Sequence, residues 1–134
     1  MTEPLVPHNI AVMLKEAGFD FRVSHYYEEV GEAKPFNNRN QHPPQYDFNS
    51  RVGYEDCCSA PTLSLAAQWL REVHGLHVCA DYNMIMKHWD YRLRDVIECS
   101  HNVLIAPFPT HDHAYTAAIE KALIILKERK AWAR

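Results

Sequence analysis

The four cysteines, Cys57, Cys58, Cys79 and Cys99, form no C-x-x-C pair. That removes the spacing of thioredoxin-like redox motifs and of zinc ribbons. No H-E-x-x-H segment is present, so the helical zinc-hydrolase arrangement is missing as well. No apolar run approaches the roughly 18 to 20 residues needed to span a bilayer. The first residues, M-T-E-P-L-V-P-H-N, have neither a basic n-region nor an apolar h-region, so no secretory signal is expected. A cytoplasmic setting with reduced thiols follows as an expectation, with no disulfide among the four cysteines and no membrane among the partners. A global excess of positive charge is also lacking. The formal net charge is −3, and no overall basic field advertises nucleic acid. Internal repeats and low-complexity tracts are missing too.

What remains is the composition of an ordinary globular chain, 134 residues with 47% hydrophobic and 23% charged content, long enough for one domain with a real core. The clearest stretch is Ser59 to Val78. Thr62 or Ser59 is the expected N-cap and Pro61 the expected first helical residue. Leu63, Ala66, Ala67, Leu70 and Val73 recur at helical steps, and Trp69 widens that stripe. Gly75 suits the position just past the helix, where a left-handed backbone carries no Cβ strain. Leu76, Val78 and Ala80 then alternate with His77, Cys79 and Asp81, the period of a half-buried strand.

Upstream, Ile10, Met13, Leu14 and Ala17 predict a short helix that starts at His8 or Asn9 and ends at Gly18. Phe21 to Tyr27 predicts a strand and Glu28 to Gly31 a turn. From Glu32 to Asp56, prolines and asparagines break every period. A long irregular loop is expected over 32–56, with a brief extended piece at Tyr46 to Phe48. Downstream, Trp89, Tyr91 and Leu93 alternate with Asp90, Arg92 and Arg94 in a second strand, interrupted at Val96 and Ile97. Val103 to Ala106 predicts a third strand, closed by Pro107 and Pro109. Thr110 or Asp112 then caps a helix with Tyr115, Ala118, Ile119, Ala122, Leu123, Ile125 and Leu126 on one face. The expectation is a single α+β domain over 1–134, in two layers. Two long helices and one short helix pack on one side of a small, mostly antiparallel sheet of three to four strands. Trp69, Leu70 and Leu123 belong to its core.

A-P-T-L-S-L-A-A-Q-W-L-R-E-V-H-G-L-H-V, the aromatic strand after it, and F-P-T-H-D-H-A-Y-T-A-A-I-E-K-A-L-I-I-L resemble a family of small uncharacterised proteins of bacterial chromosomes and prophage-like elements. The N-terminal I-A-V-M-L-K-E-A-G-F-D and the Y-Y strand share that resemblance, which covers most of the chain outside the long loop. It implies an α+β domain of bacterial or mobile-element origin and no particular activity.

Few residues are left to carry chemistry. His111, Asp112 and His113 form the densest polar cluster, but successive helical side chains diverge by about 100° and do not converge on one ion. A capping role explains them more simply, and neither a metal nor a cofactor is expected. Cys57 and Cys58 precede a helix, where a thiolate could act as nucleophile with His25, His74 or His101 as base. The simpler expectation is a buried filler and its neighbour. Arg92 and Arg94 lie opposite the aromatics of their own strand, which leaves the aromatics to the core. Lys127 and Lys130 belong to a basic C-terminal stretch, suited to a helix C-terminus or to an acidic partner. The helix–strand–strand–strand–helix order from Pro61 to Lys130 resembles a double-stranded-RNA-binding domain. The last helix, however, begins T-H-D-H-A-Y, without the lysines or arginines that meet phosphates. The functional expectation is a non-enzymatic accessory or interaction protein, with a protein partner or self-association. The alternatives are a small metal- or cysteine-dependent hydrolase and, third, a nucleic-acid-binding domain. His111, His113, Arg92, Arg94, Lys127 and Lys130 are the candidate binding residues.

Overall fold

The computed structural model describes residues 4–28, 31–35, 47–49, 57–95 and 100–132, the stretches 100–107 and 130–132 by their backbone alone. The fold is α+β, with three helices and antiparallel strands among the described residues. The chain divides into two compact units, Met1–Thr62 and Leu63–Arg134.

In the first unit, helix α1 spans His8–Ala17. It has no side-chain cap; Pro7, extended at φ −67°, supplies the carbonyl that accepts the Ala11 N–H at 3.0 Å. Its far end is closed by Gly18 at φ 94°. The Gly18 N–H donates to Lys15 O and the Phe19 N–H to Leu14 O, which satisfies two otherwise orphaned carbonyls. Ile10, Ala11 and Leu14 are buried on one face, and Phe19 folds back into the same core. Strand β1 (His25–Tyr27) pairs antiparallel with β2 (Lys34–Pro35) and β3 (Cys58–Ser59), in the order β2-β1-β3.

The strand expected over Phe21 to Tyr27 is thus confined to its last residues. Both of its partners are short, and a strand runs only as far as its ladder does. The extended piece expected at Tyr46 to Phe48 is instead a turn at Phe48–Asn49; Tyr46 lies outside the described residues. Asn49 organises that turn. Its side-chain amide donates to Phe19 O at 2.9 Å, and its side-chain oxygen accepts the Ser59 N–H at 2.9 Å. Phe48 is fully buried, and its N–H donates to the Ser59 hydroxyl at 3.1 Å. Ser59 is therefore a strand residue with its hydroxyl engaged, and it does not cap the following helix. The Tyr27 hydroxyl donates to Val6 O at 2.7 Å, which ties the N-terminal segment to β1.

In the second unit, helix α2 spans Leu63–His74 and buries Leu63, Ala66, Ala67, Trp69 and Leu70. Pro61 precedes the helix, where its carbonyl accepts the Val6 N–H at 2.9 Å, so it is not the first helical residue. Val73, expected on the buried stripe, is 52% exposed in the last turn. Gly75 follows at φ 68° and leads into β4 (Leu76–Asn83). Strand β4 pairs with β5 (His88–Asp95) along its whole length, from Leu76 opposite Asp95 to Asn83 opposite His88. Strand β5 ends at Asp95, before Val96, and pairs on its other side with β6 (Ser100–Phe108).

Val96 and Ile97, where a bulge or strand end is expected, lie outside the described residues; within β5 the register with β6 shifts between Trp89 and Tyr91. Pro107 lies inside β6 and does not close it. That strand is at the sheet edge, where a residue without an N–H is tolerated. Helix α3 (His111–Trp132) packs against β4 and β5, and α2 packs against β4 and α3. Ala114, Ala118, Ile119, Ala122, Leu123 and Leu126 form its buried face, whereas Tyr115 and Ile125 are half-buried. Trp69, Leu70 and Leu123 are 1%, 0% and 2% exposed, as core residues should be.

Candidate functional site

The alternation of β4 and β5 sorts their side chains by face. Tyr91 and Leu93 are buried with Leu76, while Arg92 and Arg94 are exposed, as are His77, Cys79 and Asp81. The register sets Cys79 opposite Arg92 and His77 opposite Arg94. Arg92 is tied to Asp81 through a 2.9 Å ion pair whose side chains are about half exposed, so the attraction is strongly screened. Partial desolvation by its neighbours raises the Cys79 thiol above its ordinary value and nearby Asp81 adds to the rise, while Arg92 and Arg94 oppose it. This thiol is not primed as a nucleophile.

The turn joining the two strands is the least expected feature. Met84, Ile85 and Met86 are 82%, 90% and 62% exposed. Three apolar side chains at a hairpin tip run against the polar composition of ordinary turns. The tip is nevertheless well built. The Asn83 side-chain oxygen accepts the Ile85 N–H at 3.1 Å and the Met86 N–H at 3.0 Å, and the Asn83 carbonyl accepts the Lys87 N–H at 2.8 Å. The same asparagine donates its amide to Asp90 at 3.2 Å, and Asp90 meets His88 Nε2 at 2.8 Å. Asp90, expected on the polar face with the arginines, is 9% exposed because His88 and Asn83 close over it.

His111 starts α3 and sits among rings. It packs edge-on against Trp89, with centroids 5.3 Å apart, and against Tyr115, also at 5.3 Å; Trp89 in turn meets Tyr82 at 5.3 Å. The Thr110 hydroxyl accepts the His113 N–H at 3.1 Å, so Thr110 is the cap, and His113 Nδ1 lies 2.5 Å from the same hydroxyl. Asp112 is in the first turn, 3.2 Å from His111 Nδ1. His111 and His113 thus have separate partners. Among the described residues, no group of three histidine, cysteine or acidic side chains is placed to hold a metal ion.

Cys57, Cys58 and Cys79 are in the thiol form; Cys99 lies outside the described residues. Cys58 is in β3, not at a helix start, and burial pushes its thiol above the ordinary value despite nearby Lys15. His74, weighed as a base, packs edge-on against Trp69 with centroids 4.7 Å apart. Lys127 is exposed near the end of α3, and the Lys130 side chain lies outside the described residues. No helix among the described residues is long and apolar enough to cross a membrane.

Sequence reasoning passed over Met84–Met86, His88 and Asp90. A signal was available: between two alternating runs, the turn following Asn83 is occupied by apolar residues instead of Gly, Ser or Asp. Comparison of the chain with family models, with curated proteins and with solved structures finds no match.

Proposed function

We propose that this chain is a non-enzymatic interaction protein that works by presenting a surface to a protein partner. The observation that carries the reading is the hairpin tip. Met84, Ile85 and Met86 are exposed, and the N–H groups of Ile85, Met86 and Lys87 are all bonded to Asn83. Apolar side chains gain from leaving water, and satisfied amides remove the penalty of burying the backbone with them. Such a tip is suited to being covered. The raised thiols of Cys58 and Cys79 argue in the same direction, because a neutral thiol is a poor nucleophile.

The proposal includes a two-layer arrangement in the second unit, helices over sheet. It also includes a reducing, cytoplasmic setting and an origin among small bacterial or prophage-type proteins. The test is affinity capture from the source cells with the wild-type chain and with an Ile85→Asn, Met86→Gln variant of equal melting temperature. Specific loss of a captured protein in the variant supports the reading. A metal-dependent turnover lost in His113→Ala, or a thiol-dependent one lost in Cys57→Ser, overturns it in favour of a hydrolase.

A further inference from the structure

The two edges of the β4-β5-β6 sheet are built differently. Sheet edges expose unpaired backbone groups, and proteins blunt them with proline, bulges, charge or short length. The β6 edge carries Pro107 and an irregular register with β5. The β4 edge has none of these guards. It runs Leu76–Asn83 in unbroken register with β5, contains neither proline nor lysine, and its one carboxylate is drawn to Arg92. Among the described residues β5 is its only strand partner.

The distribution of exposed apolar side chains makes a second, independent observation. Among the described residues, the large hydrophobic side chains left exposed are Val73, Tyr82, Met84, Ile85 and Met86. Val73 lies just before β4, and the other four lie at or just past its far end.

We propose that β4 is a self-association edge, and that two copies of this chain pair β4 to β4, antiparallel, about a twofold axis through Cys79. This rests on the reading of the chain as an interaction protein and names its partner. Because side chains alternate, a twofold must match residues of the same face, which restricts the axis to a residue centre. An axis at Cys79 pairs Leu76 with Tyr82, Val78 with Ala80, and His77 with Asp81 of the second copy. Each of these pairs occurs twice. An axis at Ala80 would set Asp81 against Cys79, and one at Val78 would shorten the ladder. Only the Cys79 axis sets His77 opposite Asp81, an imidazole against a carboxylate, at two symmetric positions.

The same symmetry accounts for the apolar ends. Antiparallel pairing brings the Met84–Met86 tip of one copy past Leu76 of the other, toward the end of α2, where Val73 is 52% exposed. Three side chains fall well short of the roughly 20–30 residues a side that a standard interface uses. A strand ladder with an apolar contact at each end is the larger surface that a dimer needs.

The axis also provides a reporter. Opposed residues in an antiparallel pair have Cα atoms about 4.5 or 5.5 Å apart, and both separations lie within the roughly 4.4–6.8 Å that a disulfide spans. The full-length chain is first measured in reductant by sedimentation across a hundredfold range of concentration, then treated with diamide and mapped by mass spectrometry. A concentration-dependent dimer whose trapped form contains a Cys79–Cys79 peptide is the expected result, with trapping lost in Cys79→Ser and kept in Cys57→Ser. Cys79→Lys opposes two cations on the axis and should raise the dimer dissociation constant at least tenfold, with the circular dichroism spectrum unchanged. If that variant fails to fold, His77→Asp, which sets carboxylates against Asp81, takes its place. A monomer at all concentrations, or a dimer trapped through other cysteines, overturns the proposal. If the monomer still captures a protein through its tip, the interaction reading stands with a different partner; if it turns over a substrate, that reading falls as well.

Discussion

Arg129 on α3 forms an ion pair with Asp95, the last residue of β5. Asp95 is 2% exposed, so the helix brings a cation to a carboxylate removed from water. A buried carboxylate that loses its cation keeps its desolvation cost, which makes removal of the arginine the severe change. Arg129→Ala is expected to destabilise the chain by about 3 kcal/mol, toward the lower end of buried-pair losses because the arginine is itself partly exposed. Arg129→Ala combined with Asp95→Leu should recover part of that loss in urea unfolding. A fully additive double variant would show that the pair contributes no coupling.

The core prediction is simpler. Leu70 is fully buried on α2, and Leu70→Ala should cost about 2–5 kcal/mol through lost transfer energy and the cavity left behind. Lys127→Ala, at an exposed position of α3, is the control and should shift the melting temperature little. Equal shifts in the two variants would contradict the packing of α2.

Lys87 closes the hairpin tip at φ 56°, the one non-glycine with positive φ among the described residues. A side chain in the left-handed region costs about 1–2 kcal/mol, of which glycine recovers part at the expense of its own chain entropy. Lys87→Gly should therefore be neutral or stabilising by up to about 1 kcal/mol. Lys87→Pro, fixed at negative φ and lacking the N–H that Asn83 accepts, should be clearly destabilising in a thermal melt.

Alkali should weaken the fold. Burial raises Cys58 above its ordinary 9.0, and Tyr27 and Tyr91 above their ordinary 10.0. A raised acid favours its neutral form in the folded chain. Its stabilising effect is fully present below the unfolded value and is lost as pH rises through the folded one. Urea midpoints should thus hold steady from pH 7 to about 8.5 and fall steadily beyond about pH 9 to 10. At the acid end, the Lys34 ammonium 2.6 Å away lowers Glu28, so that contribution is present above 4.5 and fades as pH drops below it. Midpoints that rise between pH 9 and 11 would contradict the burial of these groups.

Cooperativity between the two units can be read from probes that belong to one unit each. All three tryptophans, Trp69, Trp89 and Trp132, lie in the second unit, and the buried Cys58 thiol lies in the first. If the chain is one folding domain, tryptophan fluorescence and Cys58 labelling report the same urea midpoint. Separated midpoints would mean two independent units.

Local chemistry settled a good part of this protein in advance. Ile10 and Leu14, or Ala66, Ala67 and Leu70, recur at helical steps and therefore had to share a face. Gly18 and Gly75 had to end their helices because both take a positive φ. Thr110 caps α3 because a hydroxyl there meets the His113 N–H. Leu76 to Asp81 alternates because a strand covered on one side leaves no other choice. These outcomes depend on neighbours within one or two turns of chain. Other features depend on residues distant in sequence, and no local pattern reports them. β1 is short because its partners are short, and Ser59 belongs to a strand because Asn49 and Phe48 reach it. Asp90 is buried because Asn83 and His88 close over it, and Asp95 because a helix many residues away supplies Arg129. The M-I-M turn was visible as letters; its exposure, and the satisfied backbone beneath it, came only from how β4 and β5 pair. Which faces are covered and which edges stay open is a property of the assembled sheet, because burial is decided by what packs against a residue and not by the residue itself.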